Sequence, residues 1–526
     1  MKKLILCIDN ENFQSSWFKF LIHRLANENL FEIKSIYVLK NKRQFNFKNT
    51  INYILLKFIF LVEKRFLKFR KESQKIVCER SFREFNCEFI DYKNIEVIIN
   101  NVKLNDTYLL CNLSKFDLST KILKSFERSI SLNFFQYLEN INMCGFKESL
   151  FSYPSTNVEL NLIDKNDNVY RESVSFNTFL FWFQNREYAL SKISSLIIKV
   201  IKADSIKNIF QSPNHEISYE LNIKSYHLVY YIIKTYSQIL LKKIKKNILP
   251  DFIYRQRLKW HISILKGDLK DFNTEQMQVT KSPKNEFWAD PFILRKENND
   301  YIFFERFDYK EKKGAISYGV IKNNKLNYIK DILNKETHLS YPYLFCDKDE
   351  LFMIPENHQE KKLEIYRMKN FPEEWELYTT AFEGIAMVDT SIVKDKNNHY
   401  WIFTNISYDD FDDFTTELHI FRSSNMKFDD LKPHKQNPVL IGNIYSRNAG
   451  TIYFDTEGNL IRPSQSYEGS IYGKALNISK IVNLTLDSYE EQLIKRINFD
   501  KNQNIYGVHH LSYTDNKFVF DILTKQ

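Results

Sequence analysis

Apolar and polar residues alternate in two different rhythms along this chain of 526 residues. In the first 205 residues, short apolar runs take turns with longer segments in which apolar side chains recur every three or four positions. LILCID at 4–9, IKSIYVLK at 33–40, CEFIDY at 87–92 and TYLLCNLS at 107–114 read as buried strands, since short aliphatic and aromatic runs bounded by polar residues suit that role. WFKFLIHRLANEN at 17–29 and INYILLKFIFLVEKRFLKF at 51–69 have helical spacing. Such alternation predicts an α/β domain over 1–205, with a parallel sheet covered by helices. A cofactor site would then lie beyond the carboxyl ends of its strands.

Residues 206–260 predict a basic helical linker. Leu228, Ile232, Tyr236, Leu240 and Ile244 form one apolar stripe, and Pro250 ends the helix. Lys234, Lys242, Lys243, Lys245 and Lys246 make the 228–246 stretch strongly basic. Two readings stay open: a helix lying on an anionic membrane surface, or one packed on its own domain with a solvated lysine face.

From 261 to 526 the helical rhythm disappears and a repeat emerges. Five segments share a turn-like start, an apolar stretch, a polar tip and a second aromatic-rich strand. They begin at Ala289, Ser340, Val388, Asn448 and Gly507. Hairpins one blade apart, stacked radially, predict an all-β five-bladed β-propeller.

Composition narrows the class only slightly. Glycine is scarce at 11 residues, which excludes collagen-like and low-complexity chains. Lys and Arg exceed Asp and Glu by 75 − 65 = 10, an excess that tolerates phosphate or anionic lipid without demanding nucleic acid. The six cysteines form no C-x-x-C pair, so buried thiols in a reducing compartment fit better than a zinc site or a disulfide framework. The apolar run after MKK stops at Asp9, too short for a secretory leader. The expectation is a cytoplasmic protein, peripheral to the inner membrane if the basic helix binds there. Neither G-x-G-x-x-G nor G-x-x-x-x-G-K-[ST] occurs, so the glycines that cradle phosphates in those sites are missing.

The repeats direct the search for chemistry. Equivalent inner-strand positions hold Asp290, Tyr341, Asp389, Ala449 with Arg447 nearby, and His509. Later in the same hairpins come Glu305, Glu356, Asn405 and Gln465. Four carboxylates near one axis would push each other's pKa values apart, leaving one protonated and another ionised, the division of labour sugar chemistry uses. The plainer reading of a lone Asp at a blade start is a turn cap. Trp288, Tyr341, Tyr343, Trp401 and Tyr467 could stack on sugar faces or fill the core. His509 could hold a divalent metal or an anion on the axis.

W-A-D-P-F at 288–292 and V-D-T-S-I at 388–392 resemble the aspartate motifs of glycoside hydrolase family 43 propellers. That resemblance implies a general base at Asp290 and a pKa-tuning residue at Asp389. The family's acid lies in E-G-P, where this chain has S-R-N-A-G at 446–450, so the proton donor is missing from its expected place; if the propeller is the catalyst, Glu356 or Glu305 could act as the missing acid or base. A broader set, including H-L-S-Y-P, M-I-P-E, H-K-x-N-P, S-R-N-A-G and R-P-S-Q, resembles the propeller of plant glucosamine inositolphosphorylceramide transferases and their bacterial relatives. It implies glycosyl transfer in cell-surface polysaccharide or glycolipid assembly, on a nucleotide-sugar, glycan or glycolipid substrate. The plant proteins carry a further glycosyltransferase domain that this sequence lacks. Arg447 and Arg462 would hold a phosphate or carboxylate. Trp288, Tyr341, Asn448, Gln465 and His509 complete the expected substrate-binding set. Alternatives are an inverting family 43 type hydrolase and a non-catalytic glycan-binding or assembly protein.

The first domain resembles a formyltransferase fold. Formyl transfer needs an Asn-His-Asp set, but no histidine lies between His23 and His215. S-L-N-F-F-Q at 131–136 retains only Asn133. The resemblance therefore implies a degenerate scaffold or a partner-binding unit.

Overall fold

The structure is a computed structural model. It describes residues 2–13, 15–27, 31–40, 47–66, 85–91, 94–95, 108–114, 118–126, 128–132, 144–164, 169–202 and 224–248. It also describes 258–525, apart from 268–275, 324, 409–410, 412, 470, 500–503 and 515–516. Cys78, Asn133 and most of the expected 206–260 linker lie outside the described residues. The chain divides into two compact units, Met1–Ile248 and Leu249–Gln526.

The first unit is built on a seven-stranded sheet in the order β3-β2-β1-β4-β5-β6-β7. Its strands are β1 (Lys2–Asp9), β2 (Phe31–Lys40), β3 (Cys87–Asp91), β4 (Tyr108–Asn112), β5 (Arg128–Leu132), β6 (Ser155–Asp164) and β7 (Val169–Asn177). Successive β1 residues from Leu4 to Ile8 are all buried, as expected of a strand covered on both faces. Pairings among β1 to β5 are parallel, but β6 pairs antiparallel with both β5 and β7. The expected parallel sheet is therefore mixed. β6 and β7 follow each other too closely for the long crossover that parallel pairing requires.

Three long helices of this unit meet at one buried carboxylate. Glu63, on the helix Phe47–Phe66, accepts from the Tyr231 hydroxyl of the helix Ser225–Ile248 and from the Phe183 backbone N–H of the helix Trp182–Lys202. Burial pushes Glu63 up to about 7 against these two donors. The apolar stripe predicted on the last helix divides between two environments. Leu228 is buried and Ile232 packs against the same cluster, whereas Leu240 and Ile244 are exposed. Lys234 donates to the carbonyls of Ser149 and Leu150, so it is not part of a solvated lysine face. No described helix is long and apolar enough to cross a membrane. Among the described cysteines, Cys7, Cys111 and Cys144 are buried free thiols, while Cys346 is exposed.

The second unit is a five-bladed β-propeller made of five antiparallel sheets. The first three blades begin with the inner strands Glu286–Lys296, Ser340–Asp347 and Met387–Lys394. The fourth begins with Arg447–Asn448. The fifth combines both ends of the unit: Lys517–Lys525 pairs with Leu258–Lys266, which in turn pairs with Gln278–Thr280. Residues 258–260, expected in the linker, thus belong to a blade strand. Sealing the ring with strands from both ends leaves no unpaired edge at the closure.

Each of the first three inner strands breaks register at the same repeat position: between Ala289 and Phe292, Ser340 and Tyr343, and Val388 and Ser391. Within the breaks, Asp290, Tyr341 and Asp389 adopt φ values of 50°, 44° and 50°. A bulge re-aims the side chain it carries, and a non-glycine residue in this region is strained by about 1–3 kcal/mol unless its surroundings hold it.

Between the fourth and fifth blades the backbones almost touch. Gly450 has φ 122° and bridges to Leu511. A Cβ added at Gly450 would lie 1.9 Å from the Leu511 carbonyl oxygen, and backbone cannot swing away as a side chain can. Gly450→Ala is expected to cost about 3 kcal/mol or more. Calorimetry of the full chain should show the propeller transition falling by several degrees; an unchanged transition would mean the close approach carries no constraint.

Candidate functional site

The bulges at Asp290 and Asp389 aim their side chains at one pocket of ≈ 200 Å³ in the propeller. Asp290, Glu305, Glu356, Asp389, Arg447 and His509 all line it, bringing together residues from all five blades. Trp260, Phe287, Phe307 and Tyr472 supply aromatic walls, and His338 completes one side.

Its backbone frame follows a repeating rule. The Asp290 N–H donates to Asp521 Oδ2 at 3.0 Å, and the Tyr341 N–H donates to Asp290 Oδ2 at 3.3 Å. The Asp389 N–H donates to Glu356 Oε2 at 3.2 Å, and the Asn448 N–H donates to Asn405 Oδ1 at 3.0 Å. A side-chain oxygen of one blade thus holds the inner-strand backbone of the next.

His509 lies between two carboxylates: Nε2 is 3.2 Å from Asp290 Oδ1 and Nδ1 is 2.9 Å from Asp521 Oδ2. Burial disfavours its charge, but Asp521 and Asp290 outweigh it and raise His509 to about 10. Burial likewise tends to raise Asp290, yet the His509 hydrogen bond and charge, with help from His510 and Arg447, bring it down to about 2. Glu305 has the opposite fate. Burial and then the charge of Asp290 hold it well above the usual carboxylate range. Its Oε1 is buried without a hydrogen-bond partner among the described residues, and His338 Nε2 stands 3.5 Å from that atom. Glu356 is lowered: burial opposes its charge, but the His358 hydrogen bond and Arg447 prevail. Burial, with Glu356 and Asp290, pushes Asp389 up to about 8, while Arg447 pulls the other way. The Arg447 Nε contact at 2.6 Å favours the anion for as long as that pair stays together. Neighbouring carboxyls are therefore moved in opposite directions, Asp290 down by His509 and Glu305 up by burial and Asp290.

Several predicted site residues sit behind this pocket and not on its wall. Trp288 is buried in the core against Phe304, with its indole N–H on Glu286. Strand alternation turns its neighbours Phe287 and Ala289 toward the pocket instead. Tyr341 occupies the expected bulge, but its ring is buried and its hydroxyl meets Ser391 Oγ and the Gly450 backbone. Arg462 is fully buried and its guanidinium pairs with Glu491 at 2.7 and 2.8 Å, so it is not available to an anionic substrate. Asn448 supports the site from below, donating to the backbone carbonyls of Asp389 and Phe403. Gln465 donates to Asp389 Oδ2 at 3.3 Å. Of the other aromatic candidates, Tyr343 donates to the Ile392 carbonyl and Trp401 to Asp395.

The sequence reading missed Asp521, Trp260, Tyr472 and His338. Asp521 had a signal, since a carboxylate interrupts the apolar strand FVFDIL at the late-hairpin position filled elsewhere by Glu305, Glu356, Asn405 and Gln465. Trp260 and Tyr472 had none, because packing alone brings their rings within 4.1 and 5.2 Å of His509. Asp290, His509 and Asp521 have potential metal-ligand atoms within 4.8 Å of one another. Both His509 nitrogens already face these carboxylates, and Asp521 also accepts the backbone N–H groups of Asp290, His509 and His510. That donor pattern suits an imidazolium, not a divalent ion that would have to displace its proton.

Residues 273–514 match a family model described as glucosamine inositolphosphorylceramide transferase 1, N-terminal. The glucosamine inositolphosphorylceramide transferase 1 of Oryza sativa subsp. indica is 31% identical over 220 residues, covering 40% of this chain and 28% of that protein. The Arabidopsis thaliana protein of the same name is 32% identical over 213 residues, covering 40% and 27%. This chain therefore spans little more than a quarter of the curated relatives it matches. The expectation of bacterial relatives is corrected: these are plant proteins. Among solved structures, exo-β-1,3-galactanase from Phanerochaete chrysosporium is 10% identical with a TM-score of 0.33, covering 43% of this chain and 55% of its own. An α-L-arabinofuranosidase catalytic domain from Coprinopsis cinerea is 10% identical with a TM-score of 0.35, covering 52% and 98%.

Proposed function

We propose that the propeller pocket transfers a glycosyl unit from a nucleotide-sugar or lipid-linked donor to a hydroxyl acceptor in glycolipid or cell-surface glycan assembly. One observation carries the reading: a single pocket holds Asp290 against the His509 imidazole and Glu305 with a buried Oε1 that has no hydrogen-bond partner among the described residues, so their carboxyls are moved in opposite directions. In this reaction Asp290 takes the proton of the attacking hydroxyl. Glu305 gives a proton to the oxygen leaving the sugar as the bond from that oxygen to the sugar breaks, and proton exchange with solvent afterwards returns Asp290 to its anion and Glu305 to its acid. The pocket is smaller than the ~300–1,000 Å³ usual for drug-sized ligands, which suits one sugar residue held against the aromatic walls. The names of the plant relatives support transfer as the reaction class.

The first unit serves as a degenerate formyltransferase-like scaffold, a reading supported by its helix-covered sheet. The free thiols among its described residues support a cytoplasmic setting.

Three outcomes test the assignment. A thermal-shift screen of the full chain against nucleotide sugars should raise the melting temperature with one of them. Transfer with that donor should fall by about 10²–10⁴-fold in Asp290→Asn and in Glu305→Gln, with folding retained. Donor consumed equally with and without acceptor would sink transfer in favour of hydrolysis. Turnover that survives Asp290→Asn would remove the pocket from the reaction altogether.

His509 adds a pH dependence. Its folded pKa of about 10 exceeds an unfolded value of roughly 6.5. The stabilisation is therefore complete below about pH 6.5 and is lost as pH climbs through about 10. Asp521→Asn removes one carboxylate partner, so this alkaline loss of melting temperature should move down by about one pH unit or more. Identical profiles for the two proteins would show that His509 is not held as an imidazolium.

A further inference from the structure

The helices Phe47–Phe66 and Ser225–Ile248 pack on each other through Leu55, Ile59, Leu228, Tyr231 and Ile232. This contact leaves a second apolar row exposed on each helix. Ile54, Phe58 and Leu61 are 57–65% exposed, at the three- and four-residue steps of one helical face. Tyr226, Val229, Tyr230 and Ile233 are 46–63% exposed on the second helix, and Leu240 and Leu241 extend the row. Scattered exposed apolar residues need no explanation, but an exposed apolar row along each of two packed helices calls for one.

Charge identifies what would cover it. The only acidic residue in either helix is Glu63, and Glu63 is buried between them. Every exposed charge described on the two helices is positive: Lys57, Lys64 and Arg65 on the first, Lys242 and Lys243 on the second. A protein partner with an ordinary mixed surface does not require such one-sided charge. A bilayer interface with anionic headgroups does, because shallow insertion of apolar side chains and attraction of flanking lysines reinforce each other.

We propose that this two-helix face docks on an anionic lipid bilayer, with Ile54, Phe58, Leu61, Tyr230 and Ile233 entering the headgroup boundary and Lys64 and Lys243, which flank those rows, meeting lipid phosphates. The first unit would thereby bind the chain at a membrane surface without crossing it. The proposal is independent of the chemistry in the propeller pocket.

Co-sedimentation of the full chain with vesicles tests it. Vesicles of phosphatidylcholine containing phosphatidylglycerol should retain the protein, phosphatidylcholine alone should retain much less, and added salt should release it. Lys64→Glu with Lys243→Glu, and separately Phe58→Ser with Ile233→Ser, should each weaken retention by about tenfold or more. Exposed positions tolerate such changes, so unchanged melting temperatures would verify folding. No retention on anionic vesicles, or full retention of both variants, would overturn the proposal. A dimer in solution that Phe58→Ser with Ile233→Ser converts to monomer would also overturn it, assigning the face to a second copy of this chain.

Discussion

The propeller depends on the backbone at three strained positions being held open. Asp290, Tyr341 and Asp389 have left-handed φ values, which are uncommon for any residue other than glycine. Each is stabilised by its own N–H, which is accepted by a side-chain oxygen of the preceding blade: Asp521, Asp290 and Glu356 in turn. One hydrogen bond thus compensates local strain, joins two blades and orients a pocket residue. Asp521 has the widest reach, because it also receives the N–H groups of His509 and His510 and faces the His509 ring. Blade closure and site assembly are therefore one event at the junction of the first and fifth blades.

This economy has an electrostatic consequence. Using carboxylates as backbone acceptors gathers Asp290, Glu305, Glu356 and Asp389 around one pocket, a concentration of negative charge that burial makes costly. Two cations relieve part of it, Arg447 at Asp389 and His509 between Asp290 and Asp521. Among the described residues Glu305 has no cation of comparable proximity, and burial with Asp290 holds its carboxyl well above the usual range. The opposite shifts of Asp290 and Glu305 follow from where the compensating cations stand. Arg462 shows the contrast: fully paired with Glu491 inside its blade, it adds rigidity and leaves the pocket charge unchanged.

Periodicity made much of the fold legible. The rhythm of LILCID and IKSIYVLK marks β1 and β2, and the five repeat starts mark five blades, because both patterns are local consequences of which face is buried. The antiparallel β6 was hidden, since strand direction depends on the connection and not on side-chain pattern. Residues 258–260 were misplaced because their pairing partner, Lys517–Lys525, lies more than two hundred and fifty residues away. At the site, equivalence between repeats located Asp290, Glu305, Glu356, Asp389 and His509. It misjudged Tyr341, whose backbone does what an aspartate's does while its side chain turns into the core.

The sequence by itself determined the two architectures, the repeat positions that converge on the axis, and the surplus of carboxylates among them. Those properties are written in spacing and residue type, which survive without coordinates. Only the tertiary structure decided which carboxyl is lowered and which raised, which arginine faces the pocket, and which aromatics wall it. These depend on distances of a few ångströms between different blades: His509 to Asp290, Arg447 to Asp389, Trp260 to His509. Coulomb and hydrogen-bond energies change steeply over such distances in a buried site, and no linear pattern of residues encodes them.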